Sequence, residues 1–137
     1  MKYLVIAATL LALTVSAAYA TPTPSTLTLE NQPAYGDDAV FSVHLGKHYS
    51  NPKLAIWCSQ PGWYAAVSER RVVKKYSSSW DGTVTSGALD HYYWDSSQLA
   101  HCSAVIFLEP RSAKRPEVAI TEWVDFTVLA EAQEEGE

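Results

Sequence analysis

The chain has 137 residues and a formal net charge of −5, with 10 Lys and Arg against 15 Asp and Glu. A general nucleic-acid-binding domain carries a strong basic excess, so this balance excludes nucleic acid as the expected partner. The length suits one domain that can bury a core without a metal, and we expect neither a metal nor a cofactor.

The first twenty residues have the pattern of a secretory signal peptide. Lys2 supplies a short positive end, residues 3–18 are mostly apolar, and Ala18-Tyr19-Ala20 forms a small-x-small cleavage site. We expect cleavage after Ala20. The mature protein is then expected to be secreted or extracellular, with the periplasm or the cell surface as alternative locations. An uncleaved leader that anchors the chain in a membrane is the alternative, and it is the only membrane contact that we expect.

The segment after the leader predicts a linker followed by one β-domain. Residues 21–25 are rich in Thr and Pro, which favours an extended linker. From residue 26 to residue 130, short apolar runs alternate with polar residues at a period of two and are separated by turn signals such as Pro61-Gly62. Residues 131–137 are acidic and are predicted to be disordered.

Four further predictions concern the middle and the end of this domain. Residues 63–67 and 71–74 are interpreted as two short strands, with a short helix as the alternative. Asp81-Gly82 is typical of a two-residue hairpin turn. Residues 88–94 are predicted as an aromatic strand, and residues 118–129 as one long final strand.

About seven to nine short strands predict an all-β fold, an antiparallel sandwich. Residues on the apolar face of each run form the expected core. They are Leu27, Leu29, Phe41, Val43, Leu45, Leu54, Ile56, Ala104, Ile106, Val124, Phe126 and Val128.

The two cysteines, Cys58 and Cys102, each lie in an apolar strand segment. In an exported protein we expect them to form one disulfide. It would close a loop of about 45 residues and stabilise the fold by roughly 4 kcal/mol on the chain-entropy model. A buried pair of free thiols is the alternative. A zinc site is not expected, because the nearby sequence does not supply the two further ligands that zinc would need.

The placement of the two cysteines among aromatic strands resembles an immunoglobulin-like β-sandwich. Residues 97–105 resemble the F-strand region, although Ala100 stands where a tyrosine corner has Tyr. Cys58 lies on the third strand rather than the second, so the resemblance leaves a C–F pair or another bridge open in place of the antibody B–F pair. Residues 35–130 are also loosely similar to small secreted or phage-encoded immunoglobulin-like proteins of actinobacteria. That similarity rests on the runs Gly-Asp, Phe-Ser-Val, Trp-Cys, Trp-Asp and Cys-x-Ala-x-Ile-Phe, and implies an accessory binding or surface module.

Two groups of side chains are candidates for binding. Exposed aromatic rings beside Asp can stack on sugars or anchor a protein partner, and ordinary strand packing is the alternative. The aromatic candidates are Trp63, Tyr64, Trp80, Tyr92 and Trp94. A basic patch for an anionic cell-surface polymer is the second candidate, against a simply solvated face. Its members are Arg70, Arg71, Lys74 and Lys75, and a further basic run holds Arg111, Lys114 and Arg115.

The sequence contains no strong catalytic signature, so no catalytic residue is assigned. We predict a non-enzymatic recognition or adhesion module whose partner is a protein or glycan at a cell or virion surface. One alternative is a structural subunit of a surface or virion assembly, in which the final strand pairs with the edge of a neighbouring copy. The other is a small secreted enzyme or inhibitor.

Overall fold

The computed structural model describes residues 24–110 and 117–131, and this part of the chain confirms the all-β prediction. It contains eight strands and no helix. The strands are β1 (Thr26–Leu29), β2 (Asp38–Leu45), β3 (Lys53–Gln60), β4 (Trp63–Arg71), β5 (Trp80–Ala88), β6 (Ala100–Leu108), β7 (Val118–Ala119) and β8 (Val124–Val128).

Several sequence predictions fall outside the described residues. They are the signal peptide at residues 1–20, the linker up to residue 23, the basic run at residues 111–116 and the acidic tail from residue 132. Within the described ranges, no helix is long and apolar enough to cross a bilayer.

The strands form two antiparallel sheets. One has the order β1-β2-β5, and the other has the order β4-β3-β6, with β7 and β8 both paired to β6. These orders match the A-B-E and C-F-G orders of immunoglobulin sandwiches, with β4 added beside β3. The connections place loops 46–52 and 72–79 at one end of the sandwich, the β2–β3 end. Loops 30–37, 61–62 and 89–99 lie at the other, the β5–β6 end.

The inner faces of the two sheets enclose one hydrophobic core. Phe41 and Leu45 of β2 and Leu54 and Ile56 of β3 are fully buried, as period-two alternation requires. All twelve expected core residues belong to this cluster, three of them partly buried at its margin: Leu29, Val124 and Phe126. The rings of Phe41 and Phe126 meet edge to face at 5.8 Å between centroids, so packing between the sheets is specific as well as apolar.

The disulfide between Cys58 and Cys102 is confirmed. Its two residues are direct partners on the neighbouring strands β3 and β6, with 4.1 Å between their Cα atoms. In immunoglobulin terms the bridge joins strands C and F of one sheet, whereas the antibody bridge joins B and F across the core. It therefore reinforces one sheet, and core packing joins the two sheets.

Two strand predictions before β6 are wrong. Residues 63–71 form one continuous strand rather than two, because an irregularity opposite Ile56 and Trp57 absorbs an extra residue without ending the pairing with β3. Asp81-Gly82 lies inside β5 rather than in a turn. There Asp81 faces His44 of β2, and its Oδ1 lies 2.6 Å from His44 Nδ1.

The predicted aromatic strand and the long final strand are also corrected. β5 ends at Ala88, after Gly87 adopts a φ of 81°, and residues 89–99 form a loop. The final segment divides into β7 and β8. Between them Thr121 is buried, and its Oγ1 accepts a hydrogen bond from the Ile106 amide at 3.1 Å. The Thr121 hydroxyl thus takes the place of a main-chain acceptor for the Ile106 amide in the gap between β7 and β8.

Candidate functional site

Four aromatic rings pack against one another at the β5–β6 end. The Trp63 ring lies 5.4 Å from the His91 ring, and the His91 ring lies 4.8 Å from the Tyr92 ring, both with nearly parallel planes. The Tyr93 ring lies 4.0 Å from that of Tyr92. We call Trp63, His91, Tyr92 and Tyr93 the aromatic run. Tyr92 is 81% exposed and Tyr93 is 67% exposed, so the run ends in two phenol rings in solvent.

A buried glutamine holds the loop that carries this run. Gln60, the last residue of β3, is only 6% exposed. Its Nε2 donates to the carbonyl oxygens of Asp95 at 2.9 Å and Gln98 at 3.2 Å. Its Oε1 accepts from the Asp95 amide at 2.9 Å and from the Trp63 indole at 2.8 Å. All four hydrogen-bonding positions of the amide are filled, which fixes the loop to the sheet.

Asp95 organises the second half of the same loop. Its carboxylate accepts hydrogen bonds from the Ser97 hydroxyl at 2.6 Å, the Ser97 amide at 3.0 Å and the Gln98 side chain at 3.0 Å. The Ser97 hydroxyl is the main reason that the pKa of the Asp95 carboxyl is lowered, because donated hydrogen bonds favour the charged form.

Trp94 forms the floor under the aromatic run. It is 6% exposed, and its ring lies 5.4 Å from that of Tyr35 and 6.2 Å from that of Trp63. Its buried indole Nε1 has no hydrogen-bond partner among the described residues. Trp94 was a binding candidate from the sequence. In the structure it packs beneath Trp63, and its ring is too buried to contact a ligand.

Trp80 also packs against the core. It is half-buried at the start of β5, on the inward-facing side of the sheet. Its indole lies over Gly82 so closely that a Cβ atom on that glycine would collide with the ring. This sequence candidate therefore closes the β2–β3 end of the core, far from the aromatic run.

Tyr64 lies on a different surface, the outer face of the five-stranded sheet. Its ring stacks on that of Trp57, with centroids 5.4 Å apart and planes 12° apart. The two rings line a depression of about 440 Å³, together with polar side chains that include His101, Ser103 and Asp125. We call it the sheet-face depression. The Ser103 hydroxyl donates a hydrogen bond to the Asp125 carboxylate at 2.6 Å. A nucleophilic relay would require this hydroxyl to donate to a histidine instead.

The basic candidates separate into two groups. Arg71, Lys74 and Lys75 line a second depression of about 440 Å³ at the β2–β3 end, together with His48. We call it the basic depression. Arg70 lies elsewhere, because its guanidinium is packed beside Gly87 of β5.

The structure thus distributes the sequence candidates over three surfaces. Trp63 and Tyr92 each stack on His91 at the β5–β6 end, and Tyr64 lies on the sheet face. Three of the four basic candidates line the basic depression at the β2–β3 end. Sequence reasoning missed His91, Tyr93, Trp57 and His48 as site residues. Alternation was a local signal for Trp57, which lies between the inward-facing Ile56 and Cys58, and it also placed Tyr93 and His91 on a shared face that could be exposed. Within residues 24–110 and 117–131, no three His, Cys, Asp or Glu side chains group so as to hold a metal.

Comparison of this chain with protein-family models, with curated proteins and with solved structures gives no match. Its function is therefore inferred from the chemistry of these three surfaces.

Proposed function

We propose that the protein is a secreted, non-enzymatic recognition module that binds a protein partner at a cell or virion surface through the aromatic run. The observation that carries this proposal is the exposure of Tyr92 and Tyr93 on a loop whose main chain is held by the buried Gln60. Exposed tyrosines offer a large amphipathic contact area and lose little side-chain entropy on binding.

Preorganisation strengthens this interpretation. A loop that is already ordered does not have to be fixed when the partner binds, which removes part of the entropic cost of association. The stacking of Trp63, His91 and Tyr92 keeps the rings in place as well. Asp90 and Asp95 are exposed in the same loop and give the rim of the site negative charge, so a partner with a basic rim would associate faster.

The disulfide supports the extracellular part of the proposal. Cys58 and Cys102 are both buried in the β3–β6 ladder and are covalently joined. Structural disulfides form and persist in oxidising compartments and are rare in the cytosol of most organisms. This agrees with export by the predicted signal peptide.

The test measures how the labelled, secreted protein and its variants bind to intact cells of the source organism. We expect saturable binding that the double variant Tyr92→Ala/Tyr93→Ala weakens by about tenfold or more, as loss of a hot spot does. Tyr64→Ala is the matched control, because Tyr64 is as exposed as Tyr93 but lies on the sheet face. Protease treatment of the cells should remove binding. Full binding by the double variant, or an equal loss in Tyr64→Ala, would reject the aromatic run as the site.

A glycan-binding module is the second candidate, favoured by the sheet-face depression. The Trp57–Tyr64 stack offers an apolar ring face, and Asp125 and His101 offer polar groups beside it. A pyranose ring could stack on the aromatic face while its hydroxyls bond to these groups. In the same cell-binding assay, this function would appear as protease-resistant binding that Tyr64→Ala lowers and the tyrosine double variant leaves unchanged.

A further inference from the structure

We infer that the basic depression at the β2–β3 end binds the phosphate or sulfate groups of an anionic polysaccharide or polyphosphate chain. This site lies at the end of the sandwich opposite the aromatic run, so the inference goes beyond the proposed function and does not depend on it.

Tyr76 joins the two loops that form this depression. Its hydroxyl donates to the carbonyl oxygen of Lys47 at 3.1 Å and accepts from the Tyr49 amide. The His48 ring also packs against the Tyr76 ring, with 4.9 Å between centroids. Loops 46–52 and 72–79 are separate in sequence, and these contacts hold them beside each other.

The side chains that line the depression are strongly biased in charge. Arg71, Lys74 and Lys75 are exposed cations, and the exposed His48 lines the depression beside them. The Arg71 Nε donates to Asn51 Oδ1 at 2.7 Å, which orients the guanidinium. Among the described residues that line the depression, none is acidic, although the whole chain has a net charge of −5. The concentration of positive charge here is therefore local.

Tetrahedral oxyanions fit this set of donors. The planar guanidinium forms two parallel hydrogen bonds to phosphate or sulfate, and lysine ammonium groups add compact charges that need no fixed geometry. One exposed ion pair contributes little, so a single phosphate would bind weakly. A polymer that presents several such groups would contact several cations at once and bind with higher affinity.

The same contacts argue against nucleic acid as the ligand. Proteins that bind single strands stack bases on open aromatic faces. Here the Tyr76 ring is covered by His48, and the Lys47 ammonium lies 5.3 Å above the centre of the Tyr49 ring. An anionic polymer without bases uses only the cations.

The experiment titrates the secreted, disulfide-bonded protein with dextran sulfate and with polyphosphate, beside neutral dextran and a short single-stranded DNA. We expect binding to at least one of the two oxyanion polymers, and the stronger one identifies sulfate or phosphate. Both Arg71→Ala and the double variant Lys74→Ala/Lys75→Ala should weaken it by about fivefold or more near 50 mM salt, and should reduce its salt dependence.

Arg70→Ala is the matched control, because Arg70 neighbours Arg71 in the sequence but packs beside Gly87. It should change the affinity by less than about twofold, since its charge lies outside the depression. Tyr92→Ala/Tyr93→Ala should leave polymer binding unchanged, which separates this inference from the proposed function. Equal losses in Arg70→Ala and Arg71→Ala, no binding to either oxyanion polymer, or tighter binding to the DNA would each overturn it.

Discussion

The side-chain amide of Gln60 pairs in both directions with the main chain of Asp95, 35 residues later. Its Nε2 donates to the Asp95 carbonyl oxygen and its Oε1 accepts from the Asp95 amide, each at 2.9 Å. The side-chain amide therefore exchanges two hydrogen bonds with one residue, as the main chain of a neighbouring β-strand would. It connects the end of β3 to the loop that presents Tyr92 and Tyr93, and so links the core to the proposed binding surface.

Replacing Gln60 with Leu should destabilise the protein by about 1–3 kcal/mol, because main-chain groups of the loop lose their partners. The amides of residues 89–99 should also exchange faster with solvent. Urea denaturation and hydrogen exchange measure the two effects. Gln32→Leu is the control. Gln32 is exposed and its Nε2 donates to the Thr127 carbonyl oxygen at 2.7 Å, but water can replace that donor, so the change should cost less than about 1 kcal/mol. Unchanged exchange in the loop would show that Gln60 does not hold it.

The order of the same loop should depend on pH through Asp95. Hydrogen bonds from Ser97 lower the pKa of this carboxyl in the folded protein, so the unfolded chain binds the proton first as the pH falls. The stabilisation is therefore present above the ordinary carboxyl pKa of about 4 and is lost as the pH falls through the lower, folded value.

We expect the Ser97 amide resonance to shift and to lose exchange protection in that acidic range, as followed by NMR. Asp95→Asn should remove this transition, whereas Asp90→Asn, at an exposed position of the same loop, should preserve it. A Ser97 amide that ignores pH down to about 2 would contradict the assignment of its hydrogen bond to the carboxylate.

Loss of the disulfide should lower stability without changing the fold. The bridge spans 44 residues of sequence and constrains the unfolded chain, so Cys58→Ala/Cys102→Ala should cost about 2–4 kcal/mol. Main-chain pairing of β3 with β6 continues on both sides of the bridge, which should preserve the strand signal in circular dichroism. Urea midpoints of the variant and of the reduced wild type should agree. A midpoint equal to that of the oxidised protein would refute a stabilising role.

A methyl group at Gly82 should displace the indole of Trp80. The ring occupies the space that the new Cβ needs, so Gly82→Ala should destabilise the protein by about 1–3 kcal/mol through overpacking. Tryptophan fluorescence should shift to longer wavelength as the ring moves toward water. Thr83→Ala, an exposed neighbour, is the control. If Gly82→Ala is as stable as that control and its emission is unchanged, the indole does not lie over Gly82 in solution.

The sequence predicted the layers of this fold well because alternation at a period of two is a local property. Leu54, Ile56 and Cys58 face the core for the same reason that Trp57 faces outward. The pairing of Cys58 with Cys102 followed from the number of cysteines and from the predicted signal peptide. None of these inferences required knowledge of which strand lies beside which.

The errors occurred where the neighbouring strand decides the outcome. Asp81-Gly82 has the composition of a turn, yet it continues β5 because β2 lies alongside and presents His44 to Asp81. Residues 88–94 have the aromatic composition of a strand, yet Gly87 bends the chain and Gln60 holds the segment after β5 as a loop. The preference of a residue type for turn or strand is small in free energy, and tertiary contacts such as these override it.

By itself, the amino-acid sequence indicated that the fold is all-β, that the twelve expected core residues face inward and that one disulfide joins the two cysteines. Only the tertiary structure decided which side chains share a surface. It grouped Trp63 with Tyr92, removed Trp94 from solvent and separated Arg70 from Arg71. The physical reason is range: side-chain alternation acts between adjacent residues, whereas a binding surface depends on strand order and loop contacts between residues far apart in the chain.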